Sequence, residues 1–220
     1  MQRFDIINLL IAKYGYNKYL EIGVEDGHSI NQVKCGLIHG VDPASKKATY
    51  QVTSDEYFRT LDKNFKYDII FVDGLHVSEQ VDRDIKNSLE HLSVGGIIVV
   101  HDCNPPTEWH QRDEEEASKN GFRQWNGDVW RSIVRYRCDS TLRVSVVDTD
   151  WGCGIIYRAG ELDSRRSAGE MKSPSFGLEH ISPPDGDATN FNKLEYKRLD
   201  ENRKQWLNII TPDQFRTSFL

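Results

Sequence analysis

Two unbroken apolar runs constrain this chain more than any other feature. Ile69, Ile70, Phe71 and Val72 lie together inside YDIIFVDG, and a second run, IIVV, fills GGIIVVHD at 95–102. A strand with one wet face alternates polar and apolar side chains. A strand covered on both faces need not, so each run predicts a buried parallel strand. Between them, residues 77–92 set Val81, Ile85, Leu89 and Leu92 on one face of an amphipathic helix. The alternation begins earlier. Phe4, Ile6, Ile7, Leu10 and Ile11 predict a helix over 3–14, ended by Gly15. Tyr19–Ile22 reads as a strand, then a helix from about Ser29 to Lys34, then a strand over 36–41 stopped by Asp42-Pro43. TYQVTSDEYFRTL reads as a short strand, a turn at Thr53–Ser54 and a helix. This order predicts an α/β fold with a doubly wound, mostly parallel sheet.

Downstream, residues 104–125 read as a polar loop holding Pro105-Pro106 and the acidic run Asp113–Glu116. Asp128–Cys138 reads as a helix with Asp128 as its cap, and Leu142–Asp148 and Cys153–Arg158 as a closing pair of strands. Beyond Gly160 the chain turns to Ser, Gly, Pro, Asp and Glu. The expected organisation is one domain over 1–158, a linker or long loop over 159–190 and a helical extension over 191–220. Leu194, Leu199 and Trp206 are the apolar positions of the last helix, placed in 191–210.

The charge balance narrows the partners. Net charge is −6 at pH 7, which argues against a nucleic acid backbone, since counterion release needs clustered Lys and Arg. No stretch approaches the ~20 apolar residues that span a bilayer. The first twenty residues lack the pattern of a signal peptide. None of the four cysteines forms a C-x-x-C pair, so reduced thiols are expected rather than a zinc site. These features together predict a soluble cytoplasmic protein, with self-association left open.

The turn after the first strand, Glu21-Ile22-Gly23-Val24-Glu25-Asp26-Gly27, carries the first chemical signal. Gly23 and Gly27 allow a tight turn and close approach to a ligand. Glu21 at the strand end suits a cationic amine. Asp42 ends the next strand about 20 residues after Gly23, the spacing at which an acid meets ribose hydroxyls. A plain βα turn and an ordinary strand-end cap would explain each residue singly; together they favour a nucleoside cofactor. The dinucleotide pattern G-x-G-x-x-G is absent, and Glu25 and Asp26 would repel a pyrophosphate, which disfavours NAD.

EIGVEDG resembles the first motif of class I methyltransferases that use S-adenosylmethionine (SAM), and HGVDP resembles their acidic second motif. The resemblance implies a Rossmann-like, seven-stranded sheet. It places Gly23 and Gly27 near the methionine moiety, Asp42 on the ribose, and Thr53 and Ser54 of TSDEYF near the adenine; Glu21 joins them as the carboxylate for the amine, and His28 either touches the cofactor or simply begins a helix. FVDGLHVSEQVDRDIKNSLEHLSVGGIIVVHDCNPP is similar to the methyltransferase type 24 group, which includes metal-dependent sugar O-methyltransferases; the likeness runs over about 17–158. WNGDVW and DTDWGCG resemble further segments of that group.

Chemistry explains the residues found there. SAM carries an activated methyl, so the protein must align an acceptor and remove its proton. A neutral hydroxyl is a poor nucleophile, helped by a positioned base or a divalent cation. Asp73 and His76 follow one buried strand, and His101 and Asp102 end the next. Neighbouring parallel strands end at one edge, so these groups converge. By resemblance Asp73 is a metal and cofactor-side carboxylate, His76 the base and Asp102 a second ligand to Mg²⁺ or another divalent ion. His101 stands where the related sugar enzymes have a carboxylate, so its place as a ligand is the weakest. The implied function is O-methylation of a sugar, glycan or glycosylated small molecule. The alternatives are a SAM-binding interaction module without catalysis, or a metal-free methyltransferase with another small acceptor. Trp109, Trp125, Trp130 and Trp151 fit core packing or a sugar-stacking surface, and 104–125 fits a lid.

Overall fold

The computed structural model describes residues 1–162, 180–187 and 189–219. Much of the linker expected over 159–190 lies outside the described residues. The strands are β1 (Lys18–Ile22), β2 (Leu37–Val41), β3 (Tyr67–Val72), β4 (Leu92–Val100), β5 (Leu142–Val147), β6 (Cys153–Arg158) and β7 (Ile209–Ile210). The helices are α1 (Arg3–Tyr14), α2 (Ser54–Thr60), α3 (Ser78–Glu90), α4 (Glu108–Gln111), α5 (Glu114–Lys119), α6 (Val129–Arg137), α7 (Tyr196–Leu207) and α8 (Pro212–Phe219). Among the described residues the strands form one sheet of seven, ordered β2-β1-β3-β4-β6-β5-β7. Only β6 runs against its neighbours. The expected doubly wound sheet is present.

Side chains along the central strands alternate between two cores. Leu20, Ile70 and Ile98 pack in one cluster with Val81 and Ile85 of α3 and Trp130 and Ile133 of α6. Tyr19, Ile69, Phe71, Ile97 and Val99 pack in the other with Ile6, Ile7 and Leu10 of α1 and Phe215 of α8. Each large apolar side chain so buried is worth about 1.5–3 kcal/mol. Two covered faces are why the runs at 69–72 and 97–100 carry no polar residue.

Several local expectations change. The helix expected at Ser29–Lys34 is a single 3-10 turn, Ile30–Gln32, without a buried residue of its own to hold a longer helix. The strand expected before Thr53 shrinks to one bridge between Val41 and Tyr50. The loop at 104–125 holds α4 and α5, the latter capped by Asp113, whose side chain accepts from the Glu115 and Glu116 amides at 3.0 and 3.3 Å. Asp128 starts α6 but does not cap it. Its carboxylate accepts from the Ser78 amide at 2.6 Å and the Ser78 hydroxyl at 3.0 Å, so it caps α3 from a distance. The seventh strand comes from Ile209–Ile210, where the last helix was expected to end. Among the described residues, no helix is long and apolar enough to cross a membrane.

Candidate active site

Strand register levels the carboxyl ends of the parallel strands. Ile22 pairs with both Val41 and Val72, and Val72 pairs with Val100. The residues that follow, at 23, 42, 73 and 101, therefore share one sheet edge, where open parallel sheets bind ligands. A cleft of about 740 Å³ opens there.

Its first half is the β1 turn. Gly23 adopts φ 88°, and a Cβ there would lie 2.0 Å from the Asp73 carbonyl oxygen. Only glycine lets the β1 and β3 turns touch. Glu21 lines the cleft with its side chain almost wholly buried, and the Tyr19 hydroxyl donates to it at 2.5 Å. Burial, helped by the charge of Asp73 and opposed by the Tyr19 bond, pushes the Glu21 carboxyl up to about 8. Such a carboxyl is suited to a cationic amine, whose arrival favours its ionised form.

Asp42 lines the cleft but is spent on the backbone. One oxygen accepts from the Val24 and Glu25 amides at 3.0 and 2.9 Å, the other from Ala44 and Ser45, both at 2.8 Å. Four donors use its lone pairs. Burial raises its pKa, yet these bonds leave it below the ordinary carboxylate value. The geometry makes Asp42 a buttress of the glycine turn, at a place that also lines the cleft. Gly27 closes that turn through its amide to the Val24 carbonyl at 2.7 Å and does not line the cleft. His28 lines it and packs edge-on against Phe4. Thr53 caps α2, and Ser54 accepts from Gln80 at 3.2 Å; both line the cleft beside the buried Asp84. Burial pushes Asp84 up to about 6.

The second half is a charge network. Asp73 Oδ1 lies 3.1 Å from His101 Nδ1 and 3.4 Å from His76 Nε2, and its Oδ2 accepts from Arg3 Nη1 at 2.9 Å. Asp102 Oδ2 lies 2.8 Å from His101 Nδ1 and 3.4 Å from His76 Nε2, and its Oδ1 accepts from Asn126 at 2.8 Å. Asp150 accepts from Arg3 Nε at 2.9 Å and from the Arg3 amide at 2.8 Å, and lies 3.8 Å from His101 Nε2. Asp102 and Asp150 adopt φ 59° and 47°. Left-handed backbone costs a non-glycine residue about 1–3 kcal/mol and concentrates at functional sites.

Electrostatics follow from the contacts. Burial would lower the His101 pKa, but Asp73, Asp102 and Asp150 raise it well above 6.5. Burial would raise Asp73, yet His101 and His76 hold it below the usual carboxylate range. Burial would lower His76, but Asp73 and Asp102 raise it. Nδ1 of His76 lies 3.3 Å from the Trp125 carbonyl, and its ring stacks on Trp125. A proton on Nδ1 satisfies that carbonyl and leaves Nε2 to accept one.

The fit of this donor set to a divalent ion is poor. Asp73, His76 and Asp102 bring donor atoms within 4.8 Å of one another. An ion would bind their oxygens at about 2.0–2.6 Å. Those oxygens already face Arg3, Asn126 and His101, whose contacts a metal would have to displace. A second trio, His101, Asp150 and Cys153, also brings donor atoms within 4.8 Å of one another, but its Asp150 is held by Arg3. The residues present do not fit the metal expected at Asp73, Asp102 and His101.

Comparison with known proteins bears on the same edge. Residues 20–103 match a family described as a methyltransferase domain. No curated protein matches the chain. Among solved structures, the cofactor-bound protein Rv0187 from MTB is 16% identical, with TM-score 0.53 over 74% of this chain and 79% of that one. The O-methyltransferase TomG from Streptomyces achromogenes, involved in tomaymycin synthesis and solved with SAM, is 14% identical, with TM-score 0.51 over 72% and 80%. A methyltransferase from Podospora anserina bound to S-adenosylhomocysteine (SAH) is 19% identical, with TM-score 0.50 over 71% and 77%.

This is a methyltransferase fold. Within it, the family match covers Gly23, Asp42, Asp73, His76, His101 and Asp102 and stops short of Arg3, Asn126 and Asp150. Those three are what the sequence reading missed. Asp150 stands in the DTDWGCG segment, where a signal was available, but nothing local to Arg3 distinguishes it from any helix start.

Proposed function

We propose that this chain is a SAM-dependent O-methyltransferase acting on a hydroxyl of a sugar or a glycosylated small molecule. The observation that carries this is one contact. Gly23, the pivot of the cofactor turn, lies against the Asp73 carbonyl, and Asp73 lies 3.4 Å from the imidazole of His76. A donor seated on the turn is therefore beside a base.

Glu21 is suited to the donor's amine, and Ser54, Gln80 and Asp84 form a polar wall for its adenine. Bound there, SAM supplies a methyl group on a sulfonium, which keeps the bonding pair as a thioether when the acceptor oxygen takes the methyl. His76 Nε2 takes the hydroxyl proton, and Asp73 and Asp102 stabilise the imidazolium that results. Trp125 fixes the ring from one face and through its carbonyl.

A polyhydroxyl acceptor is favoured by the rest of the lining. Asn126 is buried, with no partner to its Oδ1 among the described residues, beside Trp125 and Trp151 at the same cleft. Indole faces suit the apolar face of a sugar ring, and an amide oxygen suits a hydroxyl. Arg203 and Tyr196 of α7 bond the Pro105 carbonyl, so the C-terminal segment anchors the base of the 104–125 lid. In this reading 1–158 is the catalytic unit and 191–220 supports it.

Calorimetry with SAH, followed by a mass-spectrometric screen of glycosides for SAM-dependent methylation, tests the proposal. SAH binding with methylated product is the expected result. A chain that fails to bind SAH is not a methyltransferase.

A further inference from the structure

We infer that the Arg3 guanidinium takes the place of a divalent cation at the acceptor site and makes the chain a metal-independent enzyme. The inference rests on the reading of this cleft as a methyltransferase site. It goes beyond that reading by naming the group that opposes the negative charge growing on the acceptor oxygen.

Geometry carries it. Arg3 lines the cleft and bonds Asp73 Oδ2 at 2.9 Å, while His76 approaches the other oxygen of the same carboxylate. The base and the cation are thus fixed by one group, as a metal and its neighbouring base would be. The guanidinium is not a stray surface side chain. Asp150 binds its Nε and Nη2 at 2.9 and 3.2 Å and also takes the Arg3 amide, so the start of α1 is latched to the site. The Met1 carbonyl accepts from the Thr149 hydroxyl at 2.6 Å and doubles the latch. His101 lies among Asp73, Asp102 and Asp150. The guanidinium already holds two of these three carboxylates, which a dication would have to win from it. A guanidinium aimed at a developing oxyanion strengthens in a site with little water.

Mn²⁺ alone, titrated into the full chain and followed by the paramagnetic resonance of free ion, reads this directly. The wild type is expected to bind SAH and leave Mn²⁺ free. Arg3→Met combined with His101→Asp removes the guanidinium and replaces an imidazole by a carboxylate; Mn²⁺ affinity should rise at least about tenfold. A Mn²⁺-dependent rise in melting temperature would place the ion in the folded state. Arg3→Gln is the gentler probe if the double variant does not fold, and should show a smaller rise. Stoichiometric Mn²⁺ uptake by the wild type with SAH bound overturns the inference alone, as does equal affinity in wild type and variants. Loss of SAH binding in the wild type overturns the proposed function and the inference together.

Discussion

The two halves of the cleft meet where Gly23 touches Asp73, yet they are built in opposite ways. The cofactor half is local backbone. Asp42 reaches Val24 and Glu25 across 18 and 17 residues, and Gly27 closes its turn on Val24. The other half is long-range charge. Arg3 reaches Asp73 across 70 residues and Asp150 across 147. A turn held by amides needs only its own strands. A network from five segments needs the whole domain in register, so its geometry is more easily lost by changes elsewhere.

The sharpest way to break the comparison is at the contact itself. Gly23→Ala puts a Cβ 2.0 Å from the Asp73 carbonyl in a backbone region that alanine avoids. The turns must part, and urea unfolding should show a loss of about 4 kcal/mol, with SAH binding abolished. A stable variant that binds SAH normally would show that the halves are not mechanically joined. Next in size is His76→Ala, which should lower kcat about 10²- to 10⁴-fold on any acceptor found, with SAH affinity unchanged. Equal losses in both quantities would mean that His76 supports the cofactor half instead.

The same contrast explains what the sequence disclosed. The strands at 69–72 and 97–100 were legible because burial on both faces leaves its mark residue by residue. Asp73, His76, His101 and Asp102 were legible as neighbours because register alone levels parallel strand tips. Their chemistry was less so. Whether His101 meets a metal or carboxylates depends on Asp150 and Arg3, which arrive from β6's leading turn and the start of α1. Asp42 sits in the expected place, but there it also accepts from four backbone amides, partners that its spacing to Gly23 did not announce. Asp128 repeats the lesson, since a residue at one helix start caps another.

Glu21 sharpens the cofactor side through pH. Its folded value of about 8 stands above the ordinary 4.5, so the folded chain holds this proton where the unfolded chain has lost it. Stability from this group is full at low pH and falls as pH rises through that window. Glu21→Gln should flatten the slope and gain on the wild type above the folded value, as melting temperatures across pH will show. In the wild type a cationic ligand should expel the proton, so SAH affinity climbs with pH toward 8 and calorimetric heats depend on the buffer. The variant should bind about 10- to 100-fold more weakly and without that dependence.

The smallest expected effect separates a buttress from a ligand. Asp42→Asn keeps one acceptor oxygen and turns an NH₂ toward amides that themselves donate. Two of the four backbone donors lose their partner, whichever way the side chain turns. Because the site is only part-buried, the cost should be about 1–2 kcal/mol of stability, with SAH affinity down only a few-fold as the turn loosens. A ribose ligand predicts, beside that loss of stability, at least about a tenfold loss of SAH affinity. Measured on the same preparation, the two quantities decide whether the second acidic residue belongs to the turn alone or to the cofactor as well.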